Sequence, residues 1–150
     1  MNNTNAITAI RSMSLDAVSK IRAFESINAK QPQIDFTTYH LIHAGMYART
    51  IRLKANTVIT GALVKPATIL IISGDVTMSN GEENTRITGY HVIPASQHRK
   101  QAFVAHADTD MTVLFPTMAD SVDAAEKEFT DEAEKLASRR CENVINITGE

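Results

Sequence analysis

The feature that most constrains this fold is the run of short β-prone segments between residues 36 and 116, each ended by a turn residue. Valine, isoleucine, threonine and phenylalanine recur in the segments, and glycine, asparagine and proline separate them. The predicted strands are 47–53, 57–65, 69–72, 76–79, 85–88, 91–93, 103–106 and 111–115. Many short strands with frequent turns are typical of a β-sandwich or a β-barrel.

Two local signals refine this pattern. Asn80-Gly81 is the strongest hairpin signal in the chain, because both residues tolerate the positive φ that a tight turn needs. Segment 69–72 is apolar at every position, which predicts a strand that is buried on both faces.

A helix is predicted on each side of the β region. Ser14 is suited to cap the first one, and apolar residues then recur every three positions, which predicts a helix over 15–29 that ends before Pro32. From 120 to 135 the chain is acidic and helical. For Val144 to Ile147 three outcomes stay open: an added strand, pairing with a neighbouring subunit, or disorder.

These elements divide the chain into four parts. The parts are a polar arm (1–13), an N-terminal helix (14–31), a β-barrel (32–118), and a C-terminal helix and tail (119–150). The predicted fold class is therefore mainly β, a barrel with an N-terminal helix and an acidic C-terminal helix.

Charge and composition exclude several classes of function. The net charge is −2 and no basic stripe is present, so binding to nucleic acid is not expected. No apolar run approaches the roughly 20 residues that a membrane-spanning helix needs, and the N-terminus lacks the pattern of a secretory signal. The single cysteine, Cys141, rules out an internal disulfide. Arg99-Lys100 forms a basic corner between strands that would suit a phosphate or an acidic helix of a partner subunit, and a plain exposed loop is the favoured interpretation.

Four motifs carry a resemblance to a known family. They are P-Q-I-D-F at 32–36, G-M-Y-A-R-T-I at 45–51, S-G-D at 73–75 and A-H-A-D-T at 105–109. In this order the motifs resemble small cupin-like jelly-roll proteins that are common in phage and prophage genomes. The resemblance implies a cupin-like jelly-roll barrel, a homo-oligomer, and a location in the bacterial cytoplasm or in a virion.

The resemblance also implies a metal site, and here this chain departs from the family. The two histidines of the first family motif fall on Val64 and Thr68, and only His106 remains at a family ligand position. A catalytic first-row metal needs about three protein ligands. We therefore predict no metal and no other cofactor.

The other histidines do not form an evident chelating set. His40 and His43 are three residues apart, which places them on opposite faces of a strand. His91 and His98 lie near loops and lack partners at the spacing of metal ligands. Whether any of these four binds a metal stays open.

Alternation along the strands predicts the interior of the barrel. The predicted inward sets are Tyr47, Arg49, Ile51 and Leu53; Val58, Thr60, Ala62 and Val64; Ala102, Val104 and His106; and Met111, Val113 and Phe115. This predicts an apolar cavity in which Tyr47, Arg49, Thr60 and His106 bind a small anionic ligand: a sugar acid, a sugar phosphate or a nucleotide.

Purely structural roles remain open for two of these side chains. Arg49 pairs with an internal carboxylate such as Asp75 or Asp108 in one interpretation, and it then fastens the barrel instead of binding a ligand. His106 is, in the same interpretation, a hydrogen-bonded core histidine.

Three functions follow from these observations. The favoured one is a non-catalytic, metal-free protein that self-assembles, binds a small anionic ligand, or does both. The first alternative is a cupin enzyme, either a metal-dependent oxygenase or isomerase, or a metal-free sugar epimerase with His106 as base and Tyr47 as acid. The second alternative is a structural or accessory protein of a virion.

Overall fold

A computed structural model describes residues 9–150 of the chain. The strands are β1 Thr38–His43, β2 Met46–Leu53, β3 Val58–Thr60, β4 Thr68–Ser79, β5 Asn84–Ala95, β6 Ala102–Ala105, β7 Thr109–Pro116 and β8 Asn143–Ile147. The helices are α1 Leu15–Asn28 and α2 Val122–Phe129, and two short 3-10 helices follow at Ala133–Lys135 and Ala137–Arg139. The predicted mainly β class, with one helix before the strands and one acidic helix after β7, is confirmed.

All eight strands belong to one sheet, which curls into a half-barrel. The order is β3-β6-β4-β7-β2-β1-β8, and β5 pairs with the remaining edge of β4. Along its first edge β4 pairs with β7 over Ile69–Ser73 and with β6 over Val76–Ser79, so β4 joins the two halves of the sheet. β8 lies parallel to β1 at one end of the order, which confirms the added strand over 144–147.

The Asn80-Gly81 hairpin is confirmed, but the strands beside it are longer than predicted. Asn80 Oδ1 accepts hydrogen bonds from the backbone N–H groups of Glu82 and Glu83, at 3.0 and 2.8 Å. Gly74 and Gly89 face each other across the hairpin, where they bend β4 and β5 without ending them. A Cβ on Gly74 would lie 2.4 Å from Thr109 Oγ1, so only glycine permits this close approach.

The apolar segment 69–72 is buried on one face only, which corrects the prediction of burial on both. Leu70 and Ile72 are buried inside the half-barrel, whereas Ile69 is 40% exposed and Ile71 is half-buried on the outer face. A run of apolar residues does not distinguish a fully buried strand from a strand whose outer face is an uncovered apolar surface.

The predicted Ser14 cap of α1 is confirmed, and a second serine, Ser121, caps α2 in the same way. Ser14 Oγ accepts from the Ala17 N–H of α1, and Ser121 Oγ accepts from the Ala124 N–H of α2. α2 is shorter than predicted because Thr130 has an extended conformation. None of the helices between residues 9 and 150 combines the length and apolarity needed to cross a membrane.

Two apolar clusters line the half-barrel, and a third lies under α1. The larger one surrounds Leu70, Ile72 and Val76, and the second joins Tyr47 and Phe115 to the buried face of α2. The third packs α1 against Ala102 on the outer side of β6. Residues 1–8 of the predicted polar arm lie outside the described residues; Ile10 and Met13 are buried in these clusters.

Candidate functional site

Strand register defines which side chains share the inner face of the sheet. Residues paired across neighbouring strands point to the same face. One inner row runs across five strands through Ile93, Leu70, Val113, Arg49 and His40. Tyr47 lies in the next row beside Phe115, so the predicted inward set on β2 and the inward set on β7 are confirmed.

Arg49 is buried and carries its own counter-ion. Its Nη1 lies 2.5 Å from Glu126 Oε2 of α2, and both side chains are less than one-tenth exposed. Ser138 Oγ donates to the same carboxylate, and Arg139 Nε lies 2.9 Å from its other oxygen. The structure therefore agrees with the interpretation in which Arg49 pairs with an internal carboxylate.

The proposed partners of Arg49 were wrong, however. Asp75 forms an ion pair with Arg86 on the outside of the hairpin, and Asp108 accepts from the Ala55 N–H. The carboxylate comes from the C-terminal helix instead, because α2 packs against the inner face of the sheet.

The environment of Glu126 keeps its carboxylate ionised. Burial opposes ionisation, but the hydrogen bond from Ser138 and the charge of Arg49 outweigh burial and lower the pKa of Glu126. A buried guanidinium therefore faces a charged carboxylate over the neutral pH range.

His40 and Tyr47 continue this polar group toward β8. His40 Nδ1 lies 2.7 Å from the Tyr47 hydroxyl, and His40 Nε2 lies 2.7 Å from Asn143 Oδ1. Asn143 Nδ2 donates to the Ser138 carbonyl at 2.7 Å, which fixes Oδ1 as an acceptor. His40 Nε2 therefore carries the proton, and Nδ1 accepts from the tyrosine. Sequence reasoning missed His40 because its partners come from distant segments.

Burial holds both members of this pair in their neutral forms. Desolvation lowers the pKa of His40, and it raises the pKa of Tyr47. Both ring nitrogens of His40 already have partners, so the pair ties β1 to β2 and β8 and has no free nitrogen for proton transfer.

His106 does not join the other predicted site residues. It is exposed, and its Nε2 lies 2.7 Å from Thr77 Oγ1 on the outer side of β4. The inward residues of β6 are Phe103 and Ala105, which pair with Met78 and Val76 of the core. The predicted inward set of β6 was shifted by one residue. The reason is that α1 covers the outer face of this strand, so both of its faces are apolar.

Thr60 lines the cavity but does not share a face with Arg49. Its register partner is Ala102, which packs under α1. Thr60 pairs with Ala102, and Val64 pairs with Arg99. Four positions separate Thr60 from Val64, but only three separate Arg99 from Ala102, so the first segment contains one extra residue. The extra residue reverses the alternation, as in a β-bulge. Thr60 Oγ1 is buried and has no hydrogen-bond partner among the described residues.

A cavity of about 870 Å³ occupies the half-barrel. Its inner walls are apolar and come from several strands and from α2: Ile51, Ile59, Leu70, Phe103, Met111, Val113 and Phe129. Thr60 of β3, Arg49 of β2, and Arg99 and Gln101 of the segment before β6 are polar side chains that line its inner part. Charged side chains of α1 and of the segment after α2 also line it: Glu25, Glu132, Glu134, Lys135 and Arg140. The segment that follows α1 and the two 3-10 helices form the rim.

Arg99 is the most unusual of these polar groups. It is 2% exposed, which corrects the prediction of an exposed corner at Arg99-Lys100. Its guanidinium donates to the Ser96 carbonyl and to Thr68 Oγ1, each at 2.6 Å, and more weakly to the Pro66 carbonyl at 3.4 Å. Burial lowers the pKa of Arg99 to about 10, so the side chain remains charged at neutral pH.

Arg99 differs from the other two buried cations of the half-barrel in its counter-ions. Lys100 Nζ lies 2.9 Å from Glu25 and 3.1 Å from Glu132, and Arg49 faces Glu126. No carboxylate of residues 9–150 lies within 4.0 Å of Arg99. Residues 1–8 contain no aspartate or glutamate.

The residues present do not fit the metal of the cupin pattern. Val64 is apolar, Thr68 uses its hydroxyl to accept from Arg99, and His106 lies outside the cavity. Within the described range, no three His, Cys, Asp or Glu side chains lie together so that they could hold a metal ion. A fixed guanidinium at this place also repels a cation.

Comparison with known proteins yields similarity to solved structures only. No protein-family model and no curated protein matches the sequence. A cupin-2 domain protein from Shewanella frigidimarina is 11% identical, with a TM-score of 0.42 over 66% of this chain and 97% of that one. A cupin superfamily protein from Desulfitobacterium hafniense is 9% identical, with a TM-score of 0.46 over 59% and 83%. Ectoine synthase from P. lautus is 16% identical, with a TM-score of 0.44 over 57% and 67%.

Glu126→Gln is expected to lower the free energy of unfolding by about 3–5 kcal/mol, because it leaves Arg49 buried without a counter-ion. Urea unfolding at pH 7 measures this change. Glu83→Gln, on the exposed β4–β5 turn, is the matched control and should stay within about 0.5 kcal/mol of wild type. Equal losses in the two variants would contradict the role assigned to Glu126.

The free energy of unfolding is also expected to depend on pH through His40. The folded pKa of His40 lies below the unfolded value of 6.5, so its contribution is complete above pH 6.5 and is lost as pH falls toward the folded pKa. The slope reaches at most about 1.4 kcal/mol per pH unit. Urea unfolding from pH 7.5 to 5 measures the slope. His40→Gln should flatten it, and His43→Gln should not; an unchanged slope in His40→Gln would show that His40 does not cause it.

Proposed function

We propose that this chain is a non-catalytic, metal-free cupin-like protein that holds a small anionic ligand in its half-barrel. One observation carries the proposal: a buried arginine without a carboxylate partner lines an apolar cavity of about 870 Å³. Ligand pockets commonly combine that size with apolar walls and a few fixed polar groups.

The arrangement of the polar residues favours binding over catalysis. A sugar epimerase would need His106 and Tyr47 on the two sides of one substrate, but His106 is on the outer surface and Tyr47 is fully buried. The metal-dependent alternative needs ligands that Val64 and Thr68 do not supply.

We also propose that the chain self-associates through the outer face of its sheet. Two rows of outward residues define this face. The first row is Val92, Ile71, Thr112, Thr50, Tyr39 and Val144. The second row is Pro94, Ile69, Leu114, Ala48, Leu41 and Asn146. Neither row contains a charged side chain, and Val92, Ile69 and Leu41 are 54, 40 and 39% exposed. Contiguous apolar surface of this kind is typical of interaction sites.

The outer face is best suited to bind a second copy of this chain. A two-fold interface places the same patch of each copy against itself. Because the two rows are uncharged, this packing brings no like charges together. Between residues 9 and 150, the edge of β5 that faces away from β4 pairs only with Ile10, at Ala95, so the rest of this edge lies open next to the same surface. In a phage or prophage setting, as the motifs suggest, such an assembly would serve as an accessory or virion component.

The ligand proposal predicts an organic adduct in native mass spectrometry of protein purified without added metal or chelator. Val113→Phe fills part of the cavity and should abolish the adduct, whereas Val144→Phe on exposed β8 should keep it. A transition metal on each subunit would overturn the proposal and favour the enzyme. Protein without any adduct would refute the claim of a co-purifying ligand.

The assembly proposal predicts that sedimentation velocity finds a dimer or a higher oligomer at micromolar concentration. Val92→Lys places a charge on the outer face and should give monomers. Ile27→Lys on α1 changes an isoleucine that is at least as exposed and lies away from that face, so this variant should assemble like wild type. A monomeric wild-type protein, or assembly of Val92→Lys, would contradict the proposed interface.

A further inference from the structure

We propose that Arg99 is the residue that binds the anion, and that the ligand is a carboxylate on a hydrocarbon body. This inference rests on the proposed ligand-binding function of the cavity and goes further by naming the residue and the ligand class. It replaces the expected sugar acid, sugar phosphate or nucleotide with an amphiphilic acid.

The hydrogen bonds of Arg99 leave part of its guanidinium free. The group has five N–H donors. Nη1 donates to the Ser96 and Pro66 carbonyls and Nη2 donates to Thr68 Oγ1, all of which are neutral acceptors. Nε–H and one Nη2–H have no acceptor among residues 9–150. These two nitrogens lie on one edge of the guanidinium, which is an edge that binds a carboxylate through two parallel hydrogen bonds.

The balance of charge in the half-barrel favours a ligand with a single negative charge. Glu126 offsets Arg49, and Glu25 and Glu132 lie against Lys100, so Arg99 is the one buried cation of the three without a carboxylate. One carboxylate would balance this charge. A phosphate monoester carries a charge near −2 at neutral pH and would need a second cation beside Arg99, whereas Lys135 and Arg140, the other cations of the lining apart from Arg49, are exposed to solvent.

The position of Arg99 gives the ligand an orientation. Thr68, which accepts from Arg99, begins β4 on the inner face, and Leu70 follows it on that face. Val64, the bridge partner of Arg99, belongs to the cluster around Phe115. A carboxylate on Arg99 would therefore extend its hydrocarbon chain along Leu70 and Val113, which both line the cavity.

The apolar walls argue against a sugar. A hydroxyl that is buried without a hydrogen-bond partner costs about 1–3 kcal/mol. Besides Arg99, the polar side chains of the inner lining are Thr60, Gln101 and Arg49, and Arg49 is paired with Glu126. Gln101 Nε2 is already directed at Met78 Sδ, at 2.8 Å. A hydrocarbon body meets no such penalty.

The competing explanation is that Arg99 only fastens two loops through the Ser96 and Pro66 carbonyls. Isothermal titration calorimetry with three probes on wild-type protein separates the two explanations without a mutation. The probes are octanoate, octanamide, which has the same chain without the charge, and glucose 6-phosphate. We expect octanoate to bind at least about tenfold more tightly than octanamide, since hydrogen bonds to charged groups are the stronger ones, and glucose 6-phosphate to bind more weakly than either.

Three variants test whether Arg99 causes the preference for octanoate over octanamide. Arg99→Gln should lower octanoate affinity to the level of octanamide and leave octanamide affinity unchanged. Arg99→Lys keeps the charge but not the planar fork, so it should give intermediate affinity. Arg52→Gln removes an exposed arginine from β2 and is the control that should bind like wild type. If Arg99→Gln does not fold, the role of Arg99 is tested by the octanoate affinity of Arg99→Lys and by the comparison of octanoate with octanamide on wild-type protein.

The outcomes separate this inference from the proposed function. Equal affinities for octanoate and octanamide, or full octanoate affinity in Arg99→Gln, would overturn the role of Arg99 while leaving a ligand cavity. Tighter binding of glucose 6-phosphate would overturn the ligand class. Absence of binding by all three probes, together with protein that carries no adduct, would overturn the ligand-binding function itself.

Discussion

The ion pair between Arg49 and Glu126 is the interaction on which the rest of the interior depends. The sheet curls but leaves an open side, and α2 with the 3-10 helices after it packs against the inner face before the chain joins the end of the sheet as β8. Glu126 fastens this segment to β2, and Asn143 fastens it to His40 of β1. A buried ion pair adds little net stability, but loss of one partner is costly, so the pair fixes where the C-terminal segment packs.

This pairing bears on what the cavity is proposed to bind. Glu126 neutralises Arg49 from within the chain, so the buried cation that the proposed ligand would meet is Arg99, which is held by neutral acceptors. The same guanidinium hydrogen-bonds Thr68 at the start of β4. A fixed organic cation attracts an anion by charge, without the coordination bonds that a metal ion forms.

Much of the fold could be predicted from the sequence, because local chemistry determines it. The caps at Ser14, the Asn80-Gly81 turn and the inward alternation of β2 and β7 all depend on neighbouring residues. The site was less predictable. α1 covers the outer face of β6, so alternation there gave the wrong face for His106, and an extra residue after Thr60 reversed the alternation of that strand. The partner of Arg49 comes from a helix 77 positions further along the chain, which no local pattern identifies.

A crystal structure of the protein with bound octanoate would show which arginine binds the carboxylate. We expect the carboxylate within hydrogen-bonding distance of Arg99, the hydrocarbon chain along Leu70 and Val113, and the Arg49–Glu126 pair intact. A carboxylate on Arg49, with Glu126 displaced, would contradict the role proposed for Arg99. It would mean that the pair closing the half-barrel is itself the ligand site.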